Sequence, residues 1–561
     1  MRKVLGGLRP SWWLAAALGA GALLRLAGIH WGLPNTFNAD EPHVVNLAVS
    51  FGGGSLRPYA FKYPSLWPYL LSFCYGAYFL FWSGLGLRRS VADFVGLYAW
   101  HPEGFYLIGR LLAAGLSLAA LVFLLREEEP AVGQGRKPWA VLLLAMAPVV
   151  VETAHSCKPD MLMFFFSCAA WRFALRLYRE GRRRDHWLCG AALGLAASSQ
   201  FTALPAAVLL PLACGLSPRR PCASWFLEGV ACAAAAFLAA SPFIMIDFRN
   251  FSFWTSMRSP EALAAMGAWS RAMVTKSVLG NIWGFAGSGS IAGLAALLGL
   301  AVLLRREPRR AALLGLPVLV YVLVLGANPD GGWPRYLLAV LPGWALLASQ
   351  GLGFCERPNR PLWSLFLAAL ALAPGIAQSA RMDIEMRLPD TRERAEAWIL
   401  RNVPQGATLL LDEPHASPRL AMVREEIEEL AERTEKSGSP RARLYRAMAR
   451  THPGGGYRIY RILRSARDLG TYHPKQVEIS QSDAPMMDLR PGLAMARARR
   501  VGWIVTSSYG ASPERSPELA AFFKELESQT EMVAVFAPSA GVLAGPILRI
   551  YWLPPLVGAR R

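Results

Sequence analysis

Long apolar runs fill the chain from Trp12 to about Ala377, and after Arg381 the pattern changes. The runs near 11–29, 105–125, 139–154, 161–178, 187–199, 202–216, 222–240, 286–304, 311–327, 336–353 and 362–378 each predict a helix apolar enough for a bilayer, about eleven crossings in all. Several are shorter than the ~20 residues a straight span needs. Stretches beyond Arg381, such as Glu425 to Lys436 and Arg441 to Arg450, carry charge on most turns. In hydrocarbon a central Asp, Lys or Arg costs roughly 2.5–3.5 kcal/mol on insertion scales, so these segments belong in water. The expected organisation is a mainly α polytopic membrane domain over 1–380 and a soluble α/β domain over 381–561.

The tail alternates helix and strand signals. Asp390-Thr-Arg-Glu393 is a capping-box pattern ahead of a helix ending near Asn402, and Ser516-Pro517 fits the first positions of another. Ala407 to Leu411, Trp503 to Thr506, Met532 to Phe536 and Ile547 to Trp552 read as short strands. The tail shows no P-loop, no G-x-G-x-x-G and no H-E-x-x-H, and the chain shows no internal repeat.

Charge sets the expected orientation. Arg2, Lys3 and Arg9 precede the first run, and Arg25 stands where a signal peptidase site would follow, which predicts an uncleaved first helix with its basic flank inside. If Ser65 to Leu87 crossed the bilayer, the basic loops Arg176 to Asp185 and Arg305 to Arg310 would fall outside. If it lies in the interface, both fall inside, as does Arg136-Lys137. The second arrangement obeys the positive-inside rule, and Trp67, Tyr69, Tyr75, Tyr78 and Trp82 suit interfacial depth. The tail then lies on the outer side of a cytoplasmic (inner) membrane.

Composition narrows the class. The 561 residues are 53% hydrophobic and 17% charged, with mean hydropathy +0.28. About 25% charged is usual for soluble domains, so an ordinary cytosolic enzyme or a disordered chain is excluded. The net charge of +20 is split into short clusters between apolar runs, the signature of membrane loops rather than of a nucleic-acid surface. Eight scattered cysteines without a C-x-x-C argue against a disulfide framework or a zinc ribbon.

The candidate chemistry lies in four loops on the expected outer face. The first holds Asn38-Ala-Asp40-Glu41-Pro-His43 and continues through Lys62-Tyr63-Pro-Ser65; Asp40 reads equally as the cap of a helix starting at Pro42 or as a reactive carboxylate, and Lys62 as a phosphate ligand or a snorkelling lysine. The second, Glu152 to Asp160, packs Glu152, His155, Lys158 and Asp160 into nine residues. The third, Asp247 to Lys276, carries Asp247, Arg249, Arg258, Glu261, Arg271 and several aromatics without a sharp pattern, and reads as a lid. The fourth is Asn328-Pro-Asp330-Gly-Gly-Trp-Pro-Arg335-Tyr336; a cation at a helix start opposes the helix dipole, which favours either an anionic ligand or an interfacial arginine.

Taken in order, Arg25 to Pro34 with Asp40-Glu41, Phe61-Lys-Tyr-Pro-Ser-Leu66, His155-Ser156 with Asp160, Ala197-Ser-Ser-Gln-Phe-Thr202 and Arg335-Tyr-Leu-Leu with Pro342 resemble one family. Over residues 15 to 350 the chain resembles the integral-membrane glycosyltransferases of the GT-C superfamily, nearest the protein O-mannosyltransferase and lipid A aminoarabinose transferase group. The resemblance implies a GT-C membrane domain. It implies transfer of a hexose or pentose from a polyprenyl-phosphate donor to a hydroxyl of a protein, lipid or glycan, with inversion. By the same resemblance Asp40 is the catalytic base, with Glu41 its companion and Asp160 a second acid. Lys62, Arg335 and Lys158 are the donor-phosphate ligands, and His155, Tyr63 and Tyr336 are substrate contacts. No cofactor is required; His43, His155 and the carboxylates could hold a divalent cation. Two positions depart from the pattern: Gln200 stands where many relatives have Lys, and Tyr63 where the aminoarabinose enzymes have Lys. A transporter or flippase of a cell-envelope glycolipid is the main alternative, although it would place its charges at mid-membrane on broken helices, often in paired repeats. An oligosaccharyltransferase lacks its W-W-D-type motif here, and a structural scaffold is the third reading.

Overall fold

The computed structural model describes residues 12–555 apart from 88–89, 133–137, 257–270, 285–286, 328–331, 357–359, 437–440, 464–483 and 514–515. The basic N-terminal flank, Arg136-Lys137, Arg258, Glu261 and Asp330 lie outside the described residues. The chain divides into two compact units. The first comprises residues 1–29, 60–70 and 109–383; the second comprises 30–59, 71–108 and 384–561. The change of unit at Asp383 falls close to the composition change at Arg381, and two segments of the first loop region belong with the tail.

The first unit is helical. Among the described residues five helices are long and apolar enough to cross a membrane: Glu103–Leu125, Asp160–Glu180, Ala223–Ala240, Pro308–Ala327 and Leu362–Glu385. Leu316, Leu319, Leu323 and Val324 on one of them, and Leu362, Leu365 and Phe366 on another, are exposed, an arrangement suited to lipid rather than water. The protein is a multi-pass membrane protein. The remaining expected crossings coincide with shorter helices, such as Trp12–Leu26, Arg183–Ser199, Ser290–Arg306 and Leu341–Cys355, or with broken ones. The segment 139–154, expected as one crossing, is two helices, Trp139–Met146 and Pro148–Ala154, because Pro148 bars its predecessor from helical geometry and Ala147 is extended at φ −66°, ψ 122°. Likewise 202–216 opens as a 3-10 turn around Pro205, and 336–353 is a 3-10 turn, Pro334–Ala339, followed by a helix from Leu341.

Small residues let these helices touch backbone to backbone. A Cβ placed on Gly190 would lie 1.9 Å from the Gly229 carbonyl oxygen, and one on Gly194 would lie 2.2 Å from that of Ala233. Glycines four apart on Arg183–Ser199 thus set its approach to Ala223–Ala240. Gly190→Val is expected to cost on the order of 1–3 kcal/mol by overpacking, read as a lower thermal midpoint of the detergent-solubilised protein; an unchanged midpoint would refute the close contact.

The second unit carries a six-stranded mixed sheet ordered β3-β2-β1-β4-β6-β5. The strands are β1 Thr408–Leu411, β2 Arg458–Leu463, β3 Met486–Asp488, β4 Trp503–Ser507, β5 Glu531–Phe536 and β6 Leu548–Trp552. The first four are mutually parallel, and β6 pairs antiparallel with β4 and β5. Leu409, Leu410 and Leu411 are all buried because both faces are covered. Leu409 and Leu411 pack with Ile399, Ile427 and Tyr445, whereas Leu410 packs with Ile504, Phe522 and Leu526. The capping box forms as expected: Arg392 N donates to Asp390 Oδ1 at 2.9 Å and Asp390 N to Glu393 Oε2 at 3.4 Å, opening the helix Thr391–Asn402.

Within this unit the tail grips the first loop. The Arg392 guanidinium is held by both oxygens of Asp390 at 2.8 Å and lies 3.4 Å from the centre of the Phe37 ring. Arg419 donates to the carbonyls of Pro34 at 2.6 Å and Ala99 at 3.1 Å. The stretch leading to Asp40-Glu41 is therefore fixed by residues some 350 to 390 positions later in sequence.

Candidate active site

Asp40 and Glu41 lie in the second unit, at the start of the helix Glu41–Ser50. Asp40 occupies the N-cap position, yet its side chain makes no capping hydrogen bond; its backbone N–H donates instead to Asn38 Oδ1 at 3.0 Å. The helix could be capped by this carboxylate and is not, so Asp40 is half-buried with its oxygens uncommitted to the helix end. Glu41 is fully buried.

The other expected residues lie in the first unit, where four of the five motifs converge. The strip Phe61 to Ser65 is tied to Ala197–Thr202 through Ser241, whose Oγ accepts from Ser65 N at 3.0 Å and meets Ser198 Oγ at 2.6 Å. Phe251 adds an aromatic bridge, with its ring centre 6.0 Å from both Phe61 and Phe201. The turn Pro334–Ala339, which carries Arg335 and Tyr336, packs against Pro148–Ala154, the Asp160 helix and the turn Phe201–Val208. Trp171 on the Asp160 helix donates to the Ala339 carbonyl at 3.0 Å.

Two of the cations on these motifs, Lys62 and Arg335, sit over aromatic rings. Lys62 lies 5.8 Å from the Tyr63 ring centre, and Arg335 lies 5.0 Å and 5.3 Å from those of Trp333 and Tyr336. Lys158 and Asp160 are both buried in the turn between Pro148–Ala154 and the next helix. Asp160 begins that helix, where the positive end of the dipole favours a carboxylate. Even so, Asp160 Oδ1 and Gln200 Oε1 are buried acceptors that receive no hydrogen bond among the described residues. Each such atom costs about 1–3 kcal/mol unless a ligand or solvent donor reaches it.

His155, expected as a substrate contact, is 2% exposed. Its Nδ1 lies 2.8 Å from the Val151 carbonyl and its Nε2 lies 2.7 Å from that of Ala27, with Asp383 Oδ1 at 3.6 Å. Burial pushes the imidazole below its ordinary range, and the two carbonyls act the other way. The ring joins chain segments rather than facing open space. Around it stand two further fully buried charges. Arg25 donates to Ser117 Oγ at 2.9 Å and to the carbonyls of Gly21 and Ala145, and Arg110 donates to Ile29 O at 2.7 Å. Arg110 and Asp383 carry no motif; an Arg inside an apolar run and an Asp at the end of another were the only sequence signals.

Among the described residues no group of His, Cys, Asp and Glu is arranged to hold a metal ion.

No family model and no curated protein matches the sequence. Solved structures do. The structure of ArnT from Cupriavidus metallidurans bound to undecaprenyl phosphate aligns over 96% of this chain and 97% of its own, at a TM-score of 0.50 and 14% identity. The chain has the GT-C fold. The apo form of the same ArnT aligns over 96% of this chain and 97% of its own at a TM-score of 0.44 and 15% identity. The archaeal oligosaccharyltransferase AglB from Archaeoglobus fulgidus, in complex with an inhibitory peptide and a dolichol-phosphate, aligns over 88% of this chain and 69% of its own at 0.46 and 12%. The motif resemblance and the fold point to the same architecture.

Proposed function

We propose that this protein moves a sugar from a polyprenyl-phosphate donor to a hydroxyl acceptor on the outer face of a cytoplasmic membrane, with inversion. The observation that carries the reading is the convergence, in a GT-C fold, of the segments bearing Lys62, Lys158, Asp160 and Arg335. The ArnT structure with this fold is bound to undecaprenyl phosphate, which is the donor chemistry proposed for this chain. Lys62, Arg335 and Lys158 hold the donor phosphate, and Tyr63 and Tyr336 flank the substrate. The orphan acceptors Asp160 Oδ1 and Gln200 Oε1 receive hydroxyl donors from the sugar. His155 holds the scaffold.

In the reaction Asp40 takes the acceptor hydroxyl proton. The acceptor oxygen attacks the anomeric carbon, a new glycosidic bond forms, and the carbon–phosphate-oxygen bond breaks. Its electron pair leaves on the polyprenyl phosphate, where the cations stabilise the growing charge. The sugar passes through an oxocarbenium-like state, as in glycoside hydrolysis.

The test is release of polyprenyl phosphate from undecaprenyl-phosphate-linked hexose and pentose donors by the purified full-length protein, with crude envelope extract as acceptor source. Turnover is expected, and Arg335→Ala should raise the donor KM about ten- to a hundredfold, the loss of a charge-assisted contact. Absence of turnover with every donor class would overturn the reading.

A further inference from the structure

The second unit contains a cleft of about 390 Å³, within the size of small-molecule sites, roughly 300–1,000 Å³. It is built from three separate stretches of the unit: the first loop with the helix that Asp40 opens, the end of the helix Val91–Trp100, and the tail. Pro42 and Asn46 of the Asp40 helix form one wall. Trp100, Tyr98, Glu396, Arg419 and Arg461 stand around the rest.

The lining selects a chemistry. An acyl chain would strand an amide, a carboxylate and two guanidinium groups against hydrocarbon. A simple anion would need cations with donors turned toward it. Here Arg419 spends two donors on Pro34 O and Ala99 O, and Arg461 spends Nη1 on Asp412 O at 2.7 Å and Ser417 Oγ at 2.8 Å, and the guanidinium N–H groups that remain stand beside the Glu396 carboxyl rather than in a purely cationic pocket. A sugar ring fits both halves of the lining. Its C–H face packs on an aromatic ring, and its hydroxyls, each donor and acceptor, match planar amide, carboxylate and guanidinium groups. The polar groups are also held in place: Tyr98 O–H donates to Asn46 Oδ1, and Trp100 Nε1 donates to Thr451 Oγ1 at 3.1 Å. Glu396, bonded to Asn35, is pushed up from the ordinary carboxylate range by burial, which suits a group that exchanges hydrogen bonds with hydroxyls.

We infer that this cleft binds a saccharide and that the acceptor is therefore a glycan, presented beside the helix that begins with Asp40. The acceptor assignment rests on the transferase reading above; the saccharide site does not. The tail's role is then to receive the acceptor with the wall that the Asp40 helix supplies.

The experiment is saturation-transfer NMR on full-length protein in detergent, using maltotriose, mannotriose, chitotriose and arabinotriose as probes, with a serine- and threonine-containing pentapeptide as the control. At least one trisaccharide is expected to bind. Trp100→Ala should weaken it about tenfold or more, as for a buried Trp contact, Trp100→Phe should keep most of it, and Asp40→Asn should leave it unchanged. Glu396→Gln, which preserves shape, provides a second weakening variant should Trp100→Ala misfold. Binding of no trisaccharide, binding of the peptide alone, or binding indifferent to both Trp100→Ala and Glu396→Gln overturns the inference. If the probes bind as expected but no donor is turned over, the transferase reading fails and the saccharide site stands. If donors are turned over but the cleft stays empty, the saccharide site and the acceptor assignment both fail and the transferase reading stands.

Discussion

Asp40→Asn is expected to lower the transfer rate by about 10²–10⁴-fold, the usual contribution of a positioned general base, while donor KM changes little. The substitution separates chemistry from structure because of what the Asp40 side chain does not do. It sits at an N-cap without capping, so no capping hydrogen bond to the helix is lost with its charge. What the fold loses is the attraction of a carboxylate for the helix dipole, about 0.3–1 kcal/mol, and Asn is itself a favoured N-cap residue that can recover part of it. The variant should therefore express, insert and melt like the parent. A rate within a few-fold of wild type would remove Asp40 from the mechanism, and a protein that loses activity only by unfolding would return it to a structural role. Single-turnover measurement of polyprenyl phosphate release with a fixed acceptor distinguishes these outcomes.

Much of the fold was legible because its signals are local. Eleven apolar runs became helices or helix pairs, and the four strands expected in the tail are β1, β4, β5 and β6. The capping box was legible because all its partners lie within four residues. What escaped was settled elsewhere in the chain. β2 carries Arg458 and Arg461 three positions apart, on opposite faces, so no period-2 alternation marks it, and it is a strand because β1 and β3 hold it on both edges. β3 has three residues, too few for a periodicity. The split at Pro148 rests on one proline inside an otherwise continuous apolar run, and hydrophobicity alone reads 139–154 as a single helix. At the site, the acidic pair, the lysines and Arg335 stood out as charges beside apolar runs. The hub at Ser241, the orphan Gln200 acceptor and the grip of Arg392 on Phe37 did not, since serine, glutamine and a cation 355 residues from its ring carry no local signature. The most consequential surprise is that loop residues 30–59 and 71–108 share a compact unit with the tail, because a division by composition can only be contiguous.

The buried charges around His155 carry the largest expected effect on stability. Arg25 and Arg110 are fully buried and Asp383 is 5% exposed. Asp383 lies 3.6 Å from His155 Nε2, and its charge acts on Arg25. Asp383→Ala leaves Arg25 without that compensation in a low-dielectric interior. Leaving a buried charge without its compensating charge costs several kcal/mol, whereas removing both charges can be close to neutral. The expected result follows: Asp383→Ala and Arg25→Leu each destabilise strongly in SDS-titration unfolding of the protein in mixed micelles. The double variant Arg25→Leu/Asp383→Ala is then more stable than the sum of the two single losses predicts, with a coupling of roughly 0.5–3 kcal/mol. Additive losses would show that the two charges do not sense each other, and a negligible loss from Asp383→Ala would show that the carboxylate does not act as the counter-charge. Because Asp383 is the last residue of the helical unit before the tail begins, and Arg25 precedes the loop that leads to Asp40, this charge pair spans both ends of the first unit's chain path. Its loss should therefore depress activity in proportion to the fraction unfolded, leaving donor KM of the folded remainder unchanged. That pattern is the opposite of the one expected for Arg335→Ala, so the two measurements together assign each buried or half-buried cation to holding the fold or to holding the donor.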